Sequence, residues 1–540
     1  MEHLDHRKKL AIMFAVMAAM LFAALNQTIV GTALPRIIAD LGGFEYYSWV
    51  FTVYMLAATV TSVLAGKLSD IYGRKPLIIA GIIVFIIGSL LCGLAANIVQ
   101  MILYRGIQGL GGGIILSAAF TVVGDLFVPR ERGRWQGMLS AVFGLASVFG
   151  PTLGGYIVDH TDWKWVFWVF LPFGIVALVM IAAMLPATER REGESVDYLG
   201  SILLTTTIVP MLLAFSWAGQ TYAWSSPVIV LLFAGALLSL FLFIFVENIA
   251  KSPVLPLYLF RNNVFTVSNA ISFVMGAGMF GAIMYMPFFV QGVIGTSATI
   301  SGYVMMPMTL SLVIASAIGG NLITKTGKYK KLALGGLFIM TIGMVLLSTM
   351  NVATTNAIAI LYMIVVGFGL GIGFPVFTLT VQNAVEDRLL GVATASSQLF
   401  RQLGGTIGVS IMGTILNLRV TAHMNELAED SALDSAAMTP EIAGALQQLQ
   451  NPEVLMDPAR MESIHQALPA SMQDTFAQVV GLLRESLSYA LSSVFLSGAL
   501  MVGIGFLMTF LLKEIPLRTA MQKASEEPSP PAATRRLQEE

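Results

Sequence analysis

The sequence GKLSDIYGRK fills residues 66–75, directly after an apolar run long enough to cross a bilayer. Its two glycines allow tight backbone turns and the close approach of another segment. Its aspartate can accept hydrogen bonds from a helix N-terminus, and its arginine can form an ion pair with an aspartate at the end of a later apolar run. We therefore predict a latch that closes one side of a membrane protein, formed by Gly66, Asp70, Gly73, Arg74 and Asp125.

The composition of the whole chain is that of an integral membrane protein. Hydrophobic residues make up 56% of its 540 positions and charged residues 11%, against roughly 45–50% and about 25% in soluble domains. Apolar runs of roughly 20 residues, the length that spans a bilayer, recur along the chain. They predict fourteen spans, at about 10–34, 48–68, 76–96, 98–124, 133–158, 164–185, 198–219, 227–248, 266–290, 299–321, 332–350, 356–380, 392–416 and 487–512.

Positive charge orients these predicted spans. If both termini are cytoplasmic, the cytoplasmic segments contain all Lys and Arg residues except Arg36, Lys164, Arg419, Arg460 and Arg484 in outer segments, and Arg105 and Arg401 within spans. This bias predicts cytoplasmic termini by the positive-inside rule. Lys67, Arg74 and Lys75 could serve that rule alone, which is the alternative to a latch.

Two internal echoes indicate repeated halves. Residues 66–75 and 320–329 share glycines, a leucine and a basic residue at equal spacing, and the glycine run at 109–113 recurs at 367–371. Two six-helix halves with spans 7 and 8 inserted between them account for both echoes. Such repeats around a site near the bilayer midplane are typical of secondary transporters.

The predicted domain organisation follows from these spans. It comprises an N-terminal six-helix bundle (1–190), the inserted spans 7 and 8 (191–250), spans 9–13 of the C-terminal bundle (251–416), an acidic extracytoplasmic loop (417–486), span 14 (487–512) and a disordered cytoplasmic tail (513–540). Within the loop, Asp457 and Pro458 are typical of a helix start, so part of the loop is predicted to be helical. A solvated cap and a role in gating both remain open for it.

Four motifs resemble signatures of the major facilitator superfamily, and specifically of its fourteen-helix drug:proton antiporters. They are LNQTIVGTALP (25–35), GKLSDIYGRK (66–75), LYRGIQGLGGG (103–113) and GLASVFGPTLGG (144–155). The resemblance implies an all-α integral membrane protein with the major facilitator fold. It also implies a multi-pass protein of a bacterial inner membrane that exports hydrophobic or cationic small molecules by alternating access, coupled to proton import.

Arg105 and Arg401 are predicted to lie within spans. A mid-membrane arginine costs at least about 2.5–3.5 kcal/mol on insertion scales, so it normally faces a cavity or a partner. The resemblance implies that Arg105 assists proton movement and substrate exchange, with Gln108 beside it. The alternative for Arg105 is a packing anchor, and for Arg401 a cavity role and a packing role are both open.

Asn26 is the point where the sequence departs from the family, which has Asp at this position. The helical rise places Asn26 at a depth similar to that of Arg105, where an aspartate could pair with the arginine and an asparagine cannot ionise. The predicted proton-coupling and cavity residues are Asn26, Gln27, Arg105, Gln108 and Glu45. Coupling could use Glu45, Asp40 or another acid, or be absent, and Asn26 could be natural or an altered position.

Two further groups of residues are candidates for the transport pathway. In predicted span 5, a bent and closely packed face formed by Gly150, Pro151, Gly154 and Gly155 resembles the family's antiporter signature. Flexible methionines and aromatic side chains suit a cavity that accepts varied ligands. The candidates for that cavity are Tyr54, Phe143, Met279, Phe280, Met284, Tyr285, Met306 and Arg401, and for each of the methionines and aromatics core or lipid-facing packing is the alternative.

The sequence argues against other classes of function. The five histidines all fall outside the apolar runs, so we expect no metal site and no cofactor. An enzyme would need a catalytic constellation that the spans do not offer. We expect a monomer whose partners are a hydrophobic or cationic small molecule, protons and the lipid bilayer, without nucleic acid. An exporter of one endogenous metabolite or lipid, an anion carrier using Arg105, and a receptor without transport remain as alternatives.

Overall fold

A computed structural model describes residues 5–41, 47–186, 196–218, 222–251, 253–296, 298–386, 389–430 and 473–515. Within these residues, 14 helices are long and apolar enough to cross a membrane. They are α1 (His6–Leu41), α2 (Tyr47–Tyr72), α3 (Arg74–Gly93), α4 (Ile98–Leu126), α5 (Pro129–His160), α6 (Trp165–Met184), α7 (Tyr198–Trp217), α8 (Pro227–Ile249), α9 (Asn263–Phe288), α10 (Ala298–Thr326), α11 (Lys330–Ser348), α12 (Asn356–Asn383), α13 (Leu390–Asp430) and α14 (Gln473–Phe510). The prediction of fourteen spans and an all-α membrane fold is confirmed.

Polar residues cap the start of several helices, where the chain enters the apolar region. The Asn97 side chain accepts from the backbone N–H of Gln100 at the start of α4, at 2.9 Å. The Asp197 carboxylate does the same for Gly200 at the start of α7, at 2.8 Å. Each cap satisfies a backbone donor that has no partner within its helix, so these residues mark where spans begin.

The two glycine runs pack in the same way in the two halves. A Cβ atom added to Gly109 or Gly113 in α4 would collide with the backbone of α2, and one added to Gly367 or Gly371 in α12 would collide with the backbone of α10. Glycine removes the side chain that would otherwise keep two helix axes apart. The echo seen in the sequence is therefore a repeated packing motif.

The turns after α2 and α10 also correspond. Gly73 has a φ of 91° and Gly327 a φ of 66°, a left-handed backbone region that glycine enters without steric cost. Both glycines lie seven residues after the first glycine of the repeated motif, so the chain turns sharply at the same motif position in each half. The following helices, α3 and α11, start at the next residue or within three residues.

Each half has its own apolar core, and the inserted helices form a third. The third cluster includes Leu204 and Leu212 of α7 and Phe243 of α8, which pack with Val63 of α2 and Leu390 of α13. Because α2 and α13 belong to different halves, α7 and α8 lie beside the seam between the halves. The outer surface of α8 exposes large apolar side chains, as a lipid-facing helix does.

The helices on either side of the predicted acidic loop (417–486) extend into it. Helix α13 continues to Asp430 and α14 starts at Gln473, so both extend beyond the boundaries assigned to this loop from the sequence. Hydropathy marks only the part of a helix that lies in lipid, and a polar continuation leaves no such signal. The predicted helix start at Asp457 and Pro458, Glu45 and residues 516–540 lie outside the described residues.

Candidate functional site

The residues of the GKLSDIYGRK motif meet at the ends of α2, α3 and α4 that the positive-inside rule assigns to the cytoplasm. Arg74 forms ion pairs with Asp70 at 2.5 Å and with Asp125 at 2.6 Å. Arg74 also donates to the Ser69 hydroxyl at 2.6 Å, a contact that the sequence did not predict. All but Asp125 are buried, and removing one partner of a buried ion pair is strongly destabilising because the other charge remains buried.

Asp70 also connects the two halves of the molecule. Its carboxylate accepts from the backbone N–H groups of Gly391 at 3.3 Å and Val392 at 3.2 Å, in the first turn of α13. A negative charge at a helix N-terminus is favoured by the unpaired N–H groups and by the helix dipole. A Cβ atom on Gly66 would lie 2.7 Å from the Gly391 carbonyl oxygen, so only glycine allows this approach.

A second contact between the halves joins α5 and α10. A Cβ atom on Gly320 would collide with the carbonyl oxygen of Gly133, and one on Gly137 would lie 2.6 Å from that of Ser316. Gly320 occupies the place in the second repeat that Gly66 occupies in the first. In each repeat, therefore, a glycine near the end of the equivalent helix, α2 or α10, allows close packing against the opposite half.

A network of buried amide side chains joins α5, α12 and α13. Gln136 of α5 donates to Gln382 of α12 at 2.7 Å, and Gln382 donates to the Thr394 hydroxyl of α13 at 2.8 Å. Deeper in the membrane, Thr59 of α2 donates to Gln402 of α13 at 2.7 Å. The sequence did not predict these contacts, because neutral amides in apolar helices carry no spacing that identifies their partners.

Arg105 is fully buried in the N-terminal half. Its guanidinium donates to Gln108 at 2.5 Å and to the Val50 carbonyl oxygen at 3.4 Å, and it lies over the Tyr54 ring with 4.2 Å from Cζ to the ring centroid. The Nη2 atom has no hydrogen-bond partner among the described residues. Tyr54, predicted to line a cavity, is therefore buried beneath Arg105 in this conformation.

Asn26 belongs to the same buried cluster. Gln108 donates to the Ser89 hydroxyl at 2.6 Å and to Asn26 Oδ1 at 3.4 Å, while Asn26 donates to the Phe22 carbonyl oxygen at 3.0 Å. The expected similarity in depth of Asn26 and Arg105 is thus seen in the structure, with Gln108 between them. Gln27 points elsewhere, because it is half-buried and its amide lies 3.2 Å from the Met55 sulfur.

The span 5 motif packs against the span 1 motif. Thr28 of α1 donates to the Ala146 carbonyl oxygen of α5 at 2.9 Å, and a Cβ atom on Gly150 would collide with the Thr28 hydroxyl. Gly154 is buried one turn further along. Pro151 and Gly155 lie within α5, and their surroundings are outside the described part of the chain.

The remaining candidates for the cavity do not share one environment. Tyr285 is buried and donates to the Val409 carbonyl oxygen at 2.7 Å, whereas Met284 is exposed. Phe143 is partly exposed, and Met279, Phe280 and Met306 are half-buried. These positions support a packing role for Tyr285 and leave the others as predictions.

Arg401 lies 11 residues after the start of α13 and is half-buried. Its Cζ atom is 4.1 Å from the centroid of the Phe374 ring. Phe374 of α12 in turn contacts Phe120 of α4, with ring centroids 6.0 Å apart, and packs against the apolar core of the N-terminal half. Arg401 therefore points between the two halves rather than towards lipid.

Acidic side chains are confined to the ends of the described spans. They lie within five residues of a span end, at Asp70, Asp125, Glu131, Glu247 and Glu485. Outside the spans, Asp40 accepts from the Trp163 indole at 2.8 Å. No group of three or more metal-binding side chains occurs among the described residues.

Comparisons with known proteins agree with this architecture. The Major Facilitator Superfamily sequence profile matches residues 16–409. Multidrug transporter protein MdtP of Bacillus subtilis is 39% identical over 524 residues, which cover 96% of this chain and 95% of the relative. Multidrug resistance protein 3 of the same organism is 36% identical, covering 85% of this chain and 88% of the relative.

Solved structures show the same fold at low sequence identity. The human organic anion transporter MFSD10 (TETRAN) has a TM-score of 0.58 and 14% identity, covering 92% of this chain and 99% of that chain. The proton:xylose symporter XylE has a TM-score of 0.57 and 12% identity, covering 95% and 97%. The helices, the repeat and the sequence relatives lead to one conclusion: this chain is a member of the Major Facilitator Superfamily, a family of multi-pass membrane transporters and not of enzymes.

Proposed function

We propose that this transporter exports varied hydrophobic small molecules across the cell membrane by alternating access, driven by proton import. The observation that carries the proposal is the 39% identity, over nearly the whole length of both chains, to a multidrug transporter of Bacillus subtilis. Export of cationic substrates, which the family resemblance also implies, stays a prediction. The positive charges of Arg105 and Arg401, deep within their spans, disfavour cations.

The contacts between the halves support alternating access. Asp70 binds the first turn of α13, and Gly133 and Gly320 bring α5 and α10 together. Both contacts lie at the helix ends that the positive-inside rule assigns to the cytoplasm. Opening that side requires the carboxylate of Asp70 to leave the backbone donors of α13, so the latch has a cost that substrate or proton binding must offset.

A dye-efflux panel in cells tests the multidrug proposal. Cells that produce the protein should accumulate less of several chemically unrelated fluorescent dyes, and an uncoupler of the proton gradient should restore accumulation. The matched control is Arg105→Gln, which removes the buried charge and should abolish the difference. Export of one compound alone would overturn the multidrug assignment.

A second candidate is an exporter of a specific endogenous metabolite or lipid in which proton coupling is absent or relocated. It is favoured by Asn26, a residue that cannot ionise, at the place where the family has Asp. Dye efflux that ignores the uncoupler, together with a single accepted compound, would favour this candidate.

A further inference from the structure

We propose that Arg401 forms an anion-binding position between the two halves, and that the preferred substrates are amphiphilic molecules with an apolar body and one carboxylate or sulfonate. This inference rests on the proposed export function and names the substrate class of the central site. It distinguishes the two arginines that lie deep in the membrane.

The first step is the availability of hydrogen-bond donors. A guanidinium has five N–H donors in a rigid fork that fits a carboxylate in a bidentate manner. Arg105 is fully buried and donates to Gln108 and Val50, so it is closed off from a ligand although its Nη2 atom has no hydrogen-bond partner among the described residues. Arg401 is half-buried and makes no hydrogen bond or ion pair with any described residue.

The second step is the orientation of Arg401. The Cζ atom of Arg401 lies over the ring of Phe374, 4.1 Å from the ring centroid. Stacking on an aromatic ring uses the face of the group and leaves its N–H edge free for an anion. The cation–π contact with Phe374 therefore restricts the guanidinium before a ligand arrives, which lowers the entropy lost on binding.

The third step is the charge of the surroundings. Arg105 and Arg401 are the basic residues of the described spans that lie more than five residues from a span end, and no acidic residue of those spans lies as deep. In a region of low dielectric constant, this positive charge attracts an anion and repels a cation more strongly than it would in water. The region around Arg401 is therefore better suited to anionic than to cationic ligands.

The fourth step is a surface for the apolar part of the ligand. Phe374 and Phe120 form an aromatic pair across the two halves directly beside Arg401. Aromatic rings offer a large apolar contact area at low conformational cost. Phe120 is buried and supports the ring of Phe374, which is half-buried. An aromatic ligand body can lie against Phe374 while its acidic group reaches the N–H edge of Arg401.

The test uses two dyes that differ in one functional group. Rhodamine 110 carries a free carboxylate, and rhodamine 123 is its methyl ester. Binding of each dye to purified protein in nanodiscs is measured by fluorescence polarisation, with empty nanodiscs subtracted. Wild-type protein should bind rhodamine 110 at least about tenfold more tightly than the ester, a difference equivalent to about 1.4 kcal/mol.

Two variants assign this preference to Arg401. Arg401→Gln should weaken binding of rhodamine 110 by about tenfold, whereas binding of the ester, which is a cation, should not weaken. Arg401→Lys keeps the charge but loses the fork, and should give an intermediate loss. Ester binding that is retained or strengthened shows that each variant is folded. An equal loss for both dyes, or no loss for rhodamine 110, would overturn the inference.

Transport measurements separate this inference from the export proposal. If wild-type protein in proteoliposomes moves neither dye but still binds the carboxylate through Arg401, the export proposal fails and the anion site stands. If it moves both dyes and Arg401→Gln changes neither binding nor transport, export stands and the anion site fails.

Discussion

Gln108 of α4 lies between Arg105 and Asn26, accepting from the arginine at 2.5 Å and placing its own amide nitrogen 3.4 Å from Asn26 Oδ1. The three side chains thus form a buried row that begins at the positively charged Arg105 and ends at the neutral amide of Asn26. All three side chains are inaccessible to solvent. The row links α4 to α1, and Arg105 is its one charged member.

Replacing Asn26 by aspartate should make transport respond more strongly to pH. The variant Asn26→Asp places a group that can bind and release a proton within reach of Gln108 and close to Arg105. We expect dye export by proteoliposomes to rise with an imposed proton gradient more steeply than in wild type. Asn26→Leu, of similar size but unable to ionise, is the control. An unchanged dependence on the gradient would show that position 26 is not a missing coupling site.

Breaking the latch should expose the cytoplasmic side. In Asp70→Asn, Arg74 loses the charge of its buried ion-pair partner and α13 loses the negative charge at its N-terminus, a loss of about 3–5 kcal/mol for a buried pair. The reporter is Thr394→Cys, buried beside Gln382, in a Cys92→Ala background. A membrane-impermeant thiol reagent applied to the cytoplasmic side should label this cysteine at least about tenfold faster in the variant.

The control for this experiment is an ion pair on the surface. Asp162 and Lys164 are 3.3 Å apart and exposed, and such pairs contribute only about 0–1 kcal/mol. Asp162→Asn should leave the labelling rate at the wild-type value. Equal labelling of Asp70→Asn and wild type would mean that the contact between Asp70 and α13 does not hold the cytoplasmic side closed.

The glycine at the α5–α10 contact should be intolerant of a single methyl group. The Cβ atom of Gly320→Ala would collide with the Gly133 backbone, whereas Gly335 in α11 has no atom within 4 Å of its added Cβ. We expect Gly320→Ala to reduce dye export by at least about tenfold at equal abundance, and Gly335→Ala to leave it within about twofold. Equal activities of the two variants would contradict the close packing of α5 on α10.

Tyr329 should anchor the chain that follows α14. It lies between α10 and α11, donates to the Lys513 carbonyl oxygen at 3.0 Å and accepts from the Ile515 N–H at 2.8 Å. Tyr329→Phe keeps the buried ring but removes both bonds, at a cost of about 1–3 kcal/mol. Limited proteolysis should cleave after α14 faster in this variant. A cleavage rate equal to that of wild type would show that these bonds do not anchor the segment.

The same contact should weaken in alkali. Burial raises the pKa of Tyr329 above its ordinary value, so the folded protein favours the neutral phenol more than the unfolded chain does. The stabilisation is then complete below the unfolded pKa of about 10 and is lost as the pH rises towards and through the folded pKa. Wild type should become as sensitive to proteolysis as Tyr329→Phe at high pH, whereas the variant should change less.

The parts of the site that the sequence could predict are those that follow from helix ends, from the helical rise or from the internal repeat. The pairing of Arg74 with Asp125 follows from two charges at neighbouring helix ends, and the shared depth of Asn26 and Arg105 follows from the helical rise. The correspondence of Gly73 and Gly327 follows from the repeat, and the structure gives both the same left-handed turn.

Other contacts could not be predicted, because their partners come from distant segments with ordinary composition. The sequence predicts that Asp70 accepts from a helix N-terminus, but it does not identify that helix as α13, which starts more than 300 residues later. Gln136 and Gln382 are neutral residues in two apolar helices. Arg401 could be recognised as deep in the membrane, but its stacking on Phe374 depends on how α12 and α13 pack.

The most direct test of the central claim is uphill export by purified protein in proteoliposomes. The lumen is set to represent the outer side and made acidic, and two chemically unrelated hydrophobic dyes are supplied outside. We predict that both dyes accumulate in the lumen, that accumulation collapses when the pH gradient is dissipated, and that Asp70→Asn abolishes it. Accumulation of neither dye, or of one dye regardless of the gradient, would contradict a proton-driven multidrug exporter.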